Sequence, residues 1–250
     1  MPRYPHPRIT IDGGSLDEPY ADSYEYDVNG VLMTIKLSRV GNALIDAFTR
    51  GLWIRPYEGD DQNATAVPQH RRESELAGEQ SHSCRDGTPK FDSAGNPIMG
   101  IGGGSDSVIY YSPRQFHNNS SSRGQRVAVG LRRDEALFHE MVHSLRQMAG
   151  VMNCSVYAGG FDTKDELCAV MTTNIYCSAF RRPLRKNHEG FEELSDEDAL
   201  TFYRDHLEMV DRMCTELPAF TLRIALIKDI RFNPFRQHYQ MRLMMMRLAG

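Results

Sequence analysis

The chain has 250 residues, enough for one substantial core, and with 40% hydrophobic and 25% charged residues it has the composition of a soluble globular protein. A formal net charge of −4 supplies no basic excess for nucleic acid or an anionic membrane, so neither is expected as a partner. No segment approaches the roughly 18 consecutive apolar residues of a membrane span, and the first residues hold no apolar run of signal-peptide length. Synthesis in the cytoplasm without a cleavable export signal is therefore expected.

Residues 1–28, rich in Pro, Tyr, Asp and Gly without periodicity, read as an irregular N-terminal arm, and 29–250 as a single domain. Gly30 to Leu37 predicts a strand, Val40 to Gly51 a short helix ended by glycine, and Leu52 to Pro56 a second strand closed by proline. From 57 to about 104 the chain is polar and glycine-bearing, which predicts a long surface loop with little core. The glycines of "IGGGSDS" precede the next strand, Ser107 to Pro113, rather than follow one, so they form a loop and not a dinucleotide fingerprint. Arg126 to Leu131 ("RVAVGL") predicts another strand, and everything beyond it is mainly helical.

Asp134 is expected to cap a helix that stops at Gly150, Thr163 to cap a second, and Ser195 to cap a third that runs to Pro218. Two further helices are expected from "AFTLRIALIKDI" and "NPFRQHYQMRLMMMRLA", with the Met244-Met245-Met246 run serving as flexible core filling. Strands gathered toward the N-terminal side and helices toward the C-terminal side make the expected class α+β. Five cysteines without any Cys-x-x-Cys pair predict reduced thiols; Cys154 with Cys168 or Cys177 would be the pairs to oxidise in an oxidising compartment.

The chemistry-bearing stretch is His139-Glu140-Met141-Val142-His143. Residues four apart on a helix project from one face, so both imidazoles can address a single ion, while Glu140, one step round, can reach a water beside it. Zinc suits this set: it takes two imidazoles and a third protein ligand, keeps one position open, and leaves Glu140 to act as general base. With 9 His and 15 Glu in the chain, a shuffled order would contain this spacing only about 0.02 times.

The third ligand is not a later histidine of the extended motif, because Arg146 and Ala149 stand where Gly and His would be needed. Glu166, near the start of the next helix, is the first candidate, with Asp165 beside it as a rival and His117, His188 and Glu189 behind. Thr163-Lys164-Asp165-Glu166 also matches a capping box, in which Glu166 would serve its own helix instead of a metal.

The segments "LSRVGNALIDAFTRGLWIRP", "GGGSDSVIYYSP", "RVAVGLRRDEALFHEMVHSLR", "DELCAVMTTNIYCSAFRRPLRKNHEGF" and "DIRFNPFRQHY" resemble zincin-type metallopeptidase effectors of bacterial secretion systems. The likeness is closest to type VI secretion toxins and looser to type III effector zinc proteases, over roughly residues 35 to 240. It implies a zincin-like fold, one zinc held by His139, His143 and Glu166, and Glu140 as the base of a zinc-dependent endopeptidase. It further implies a stand-alone secreted toxin acting in the periplasm of a target cell on a protein substrate, with a secretion-spike or adaptor protein and a cognate immunity protein as partners. The same residues would serve a host-directed effector protease, or a zincin-fold binding protein that does not cut; Glu140 favours catalysis.

One departure stands out. Glutamate zincins carry an aspartate four residues after the third ligand to orient a histidine, and Val170 occupies that position here. Asn174 is a candidate to replace it; Tyr176 could donate to the substrate oxyanion, although an aromatic on an amphipathic helix is more often core, and the basic run from Arg181 to Asn187 reads as a solvated loop.

Overall fold

The computed structural model describes residues 6–70, 73–85, 88–117, 127–188 and 190–249. Strand β1 (Ile9–Ile11) leads into α1 (Tyr20–Lys36) and α2 (Arg39–Ala47), and β2 (Leu52–Arg55) and β3 (Ala64–Pro68) follow. A short excursion holds α3 (Ser74–Ala77), β4 (Cys84–Arg85) and β5 (Thr88–Pro89) before β6 (Ser107–Tyr111). Six helices complete the chain: α4 (Arg133–Ala149), α5 (Lys164–Ala179), α6 (Asp196–Asp205), α7 (Leu207–Glu216), α8 (Pro218–Ala225) and α9 (Pro234–Ala249). The sheet runs β1-β2-β6-β3, parallel except for β3, which pairs antiparallel with β6 and forms an edge. The class is α+β, with a small mixed sheet and about half of the chain helical.

Several expectations fail for identifiable reasons. Gly30 to Leu37 is the end of helix α1, not a strand: Tyr24, Val28, Val31, Leu32 and Ile35 are buried at helical spacing, a stripe visible only in a window longer than the β-branched run. The supposed N-terminal arm accordingly contributes β1 and most of α1 to the core. The segment at 57–104 supplies the edge strand β3 and buries Ala66, Ala77 and Cys84. Within the described part of "RVAVGL" there is a turn instead of a strand; Gly130 has φ +81 and donates its N–H to Glu135 Oε2 at 3.0 Å.

The helical half follows the sequence more closely. Gly150, left-handed at φ 72, ends α4, and a Cβ there would strike the carbonyl of Gly102. Thr163 caps α5 and Ser195 caps α6, but the third helix breaks at His206 into α6 and α7. Asp134 does not cap α4; it sits inside the first turn, fully buried, and accepts from Tyr176 Oη at 2.7 Å and Arg182 Nη1 at 2.8 Å. The methionine run is exposed near the end of α9, outside the core. Cys84 and Cys154 form a disulfide, a pairing the sequence did not suggest, while Cys168, Cys177 and Cys214 are buried free thiols. Among the described residues no helix is long and apolar enough to cross a membrane.

Candidate metal centre

Gln147 is one of the polar residues that join helix α4 to the sheet. Gln147 Nε2 donates to Ala66 O on β3 at 2.8 Å, and its Oε1 accepts from Ser107 Oγ on β6 at 2.7 Å. One helical turn back from Gln147, His143 faces α5, and another turn back stands His139. On α5, Thr163 Oγ1 accepts the Glu166 N–H at 3.2 Å, half of a capping box. The Glu166 carboxylate completes no such box; Oε2 lies 3.0 Å from His139 Nε2 and 3.3 Å from His143 Nε2. The two imidazole Nε2 atoms are 3.2 Å apart.

These separations are close to the edge of about 3.3 Å that a tetrahedral site with bonds near 2.0–2.1 Å would show. His139, His143 and Glu166 form a group able to hold a metal ion, with two imidazole nitrogens and one carboxylate oxygen as donors. Burial pushes the His139 pKa down to about 4, against the pull of Glu166, so the ring is a neutral lone-pair donor at neutral pH. Burial alone would raise the Glu166 carboxyl, but His143 and the hydrogen bonds from both rings hold it well below the usual carboxylate range.

Asp165 faces the opposite edge of His143. Its Oδ2 lies 2.6 Å from His143 Nδ1, and its Oδ1 accepts from Arg146 Nε at 2.6 Å and from the Asn153 N–H at 3.2 Å. A proton on Nδ1 directed at Asp165 leaves the Nε2 lone pair for a metal. Asp165 thus lies outside the group able to hold a metal and grips the far edge of His143, a position the side chain of Val170 does not take. Arg146, whose presence ruled out the extended motif, is the fully buried cation that fixes Asp165.

Glu140 sits one position round the helix, buried, with its carboxylate accepting the Ala66 backbone N–H. Burial, reinforced by Glu166, lifts its pKa to about 8, which makes it a strong proton acceptor once ionised. Both backbone polar groups of Ala66 therefore turn toward α4, and the same edge of β3 continues along a cleft of about 100 Å³ that His139 and Glu140 line.

His188 belongs to this cleft. Its Nε2 is 3.3 Å from Glu166 Oε2, its Nδ1 hydrogen-bonds to Asp162, and its ring stacks on His139 at 5.7 Å. Asn174 does not orient a histidine, and Tyr176 takes the core place usual for an aromatic on a helix. Asn174 clamps the backbone of Arg185, donating to its C=O at 2.7 Å and accepting its N–H at 2.8 Å. Tyr176 is core, stacked on Phe138 at 4.3 Å with its hydroxyl bound to Asp134. His117 is held by backbone pairing with Leu131 and Arg133 outside the metal group, and Glu189 lies outside the described residues. The basic run is solvated only in part: Arg181 and Lys186 are exposed, while Arg185 is buried and Arg182 bridges Asp134 and Glu135. Against known proteins the chain matches no family model, no curated protein and no solved structure.

Proposed function

We propose that this protein is a zincin-type, zinc-dependent endopeptidase. The observation that carries the reading is the convergence of His139, His143 and Glu166 with Glu140 beside them on an open cleft. Two imidazoles and one carboxylate are a catalytic zinc set, with three protein ligands and room for a fourth partner. When bound, zinc supplies a Lewis acid for the peptide carbonyl and acidifies water.

The rest is the work of side chains. Glu140 takes a proton from the water that attacks the carbonyl carbon, and it returns that proton to the nitrogen as the C–N bond breaks. The peptide runs alongside β3, where Ala64, two residues before Ala66, presents its N–H and C=O on the same edge as a strand-pairing partner. Asp165 keeps His143 in the tautomer that binds metal, and His188, held by Asp162, is the imidazole left over to meet the substrate.

Purified protein should contain about one zinc per chain, and His139→Ala, His143→Ala and Glu166→Ala should each lose it. Glu140→Gln should keep zinc and fold while peptide hydrolysis falls by several orders of magnitude. Zinc-free protein from a chelator-free preparation, or an active Glu140→Gln variant, would sink the reading. The resemblance to secretion-system effectors extends it to a toxin acting in a target cell's periplasm. Growth arrest on periplasmic but not cytosolic expression, lost with Glu140→Gln, is the expected result.

A further inference from the structure

Three arginines surround the helices of the cleft, and two of them are fully compensated. Arg146 bonds Asp165 at 2.6 Å and Glu216 at 3.0 Å; Arg182 bonds Asp134 at 2.8 Å and Glu135 at 3.0 Å. Arg185 is the exception. It is 8% exposed, yet no carboxylate of the described residues lies within ion-pair distance of it. Its guanidinium rests on the Phe191 ring at 4.2 Å and donates through Nη2 to the His188 carbonyl, but Nε is buried without a partner.

A second group in the same cleft is in the same state: the hydroxyl of Thr173, a residue 5% exposed, has no hydrogen-bond partner. A buried guanidinium without an anion is costly, and a protein keeps such a group when something else supplies the charge. Glu166, Glu140 and Asp162 act on Arg185 through space but none bonds to it, and each is committed elsewhere: Glu166 to the two histidines, Glu140 to the Ala66 N–H and Asp162 to His188. Arg185 is also pre-positioned, because Asn174 pins its backbone by two hydrogen bonds.

We infer that Arg185 and Thr173 form a carboxylate-recognition subsite of the cleft, selecting peptides that carry a negative charge close to the bond to be cut. The inference rests on the proposed peptidase reading and narrows its substrate class. The carboxylate comes from an aspartate or glutamate side chain or from the substrate's free C-terminus. Those two sources differ in what removes the preference.

The test is a set of matched peptides with Asp or Asn, and Glu or Gln, at each position flanking the scissile bond, each made as a free acid and as a C-terminal amide. The zinc-loaded parent should cleave the acidic member at one position with kcat/KM at least about 30-fold above its neutral counterpart, the scale of a desolvated charge pair losing one partner. Arg185→Gln, with zinc content at the parental level, should bring that ratio near one, and Arg185→Lys should restore part of it. A preference that follows the side chain marks an endopeptidase subsite, and one that disappears on C-terminal amidation marks the chain end as the source. Equal cleavage of acidic and neutral peptides by the parent overturns the inference, as does a preference that Arg185→Gln leaves intact.

Should Arg185→Gln fail to fold, Thr173→Val decides: a ratio lowered several-fold sustains the subsite, and an unchanged ratio removes it. Should the parent cleave no peptide at all, the peptidase reading falls on its own. Calorimetric titration of the same acidic and neutral peptides into the zinc-loaded Glu140→Gln protein and its Arg185→Gln derivative then tests the subsite separately. Tighter binding of the acidic peptide that depends on Arg185 supports it, and indifference to Arg185 refutes it.

Discussion

Single side chains divide the work of the site more finely than the motif suggests. Asp165 and Glu166 are neighbours with different tasks, one bonded to the far nitrogen of His143 and the other facing the near nitrogens of both histidines. Glu166→Gln should therefore abolish tight zinc binding while Thr163 still caps α5, leaving the helix intact in circular dichroism. Asp165→Asn should weaken zinc about 10- to 100-fold, the usual effect of losing an orienting partner, and should also lower the melting temperature, because Arg146 is left buried with one carboxylate fewer. An Asp165→Asn variant with parental zinc affinity would contradict the assignment. The convergence of His139, His143 and Glu166, with Glu140 beside them, was legible because helix period and ligand chemistry are local. The Asp165–His143 and Asp162–His188 contacts were not, because they depend on how the first turn of α5 and a distant loop stand against α4.

The same residues set a pH dependence for the metal-free protein. Burial raises Glu140 to about 8, so the unfolded chain ionises first and the native state loses stability as pH climbs from the ordinary carboxyl range toward 8. In His143, Glu166 and Asp165 outweigh the effect of burial and raise the pKa well above 6.5, so its stabilisation is complete below 6.5 and is also lost as pH rises. The melting temperature of chelator-treated protein should fall between pH 6.5 and 8, and Glu140→Gln should flatten part of that fall. A profile in Glu140→Gln that falls as steeply as the parent's would contradict the raised Glu140 pKa.

Among the elements, those fixed by local chemistry match the sequence and those fixed by context do not. Caps at Thr163 and Ser195 and the stop at Gly150 are short-range signals, and they mark real ends. The β-branched run at the end of α1 was ambiguous over eight residues and resolves only through Val28 and Tyr24, one and two turns before Val31. Helix α9 shows the opposite failure. Met241, Met244, Met245 and Leu248 follow helical spacing, as a core face would, yet all four are exposed. Replacing Met244 and Met245 with Gln should consequently shift the melting temperature by no more than about 2 °C, the range of ordinary surface changes. A drop of 8 °C or more, on the order of a core truncation, would show that this end of α9 is packed in solution.

At the scale of the whole molecule, the α+β arrangement sets a small sheet against α4, and Gln147 fastens β3 and β6 to it. The strands at Leu52–Arg55 and Ser107–Tyr111 were legible as short apolar runs, but β3 was not, because its five residues hold small side chains, end in proline and lie within a polar stretch. The Cys84–Cys154 bond closes a loop of 70 positions, and its chain-entropy contribution is up to about 4 kcal/mol. That loop contains β6 and all of α4, including both histidines, whereas Glu166 stands outside it. A single cut anywhere between the two cysteines consequently yields a nicked molecule whose two pieces stay joined. Such a species should run as one band near 28.4 kDa without reductant and as two smaller bands with it. The two histidine-bearing turns would remain tethered to the half that carries Glu166.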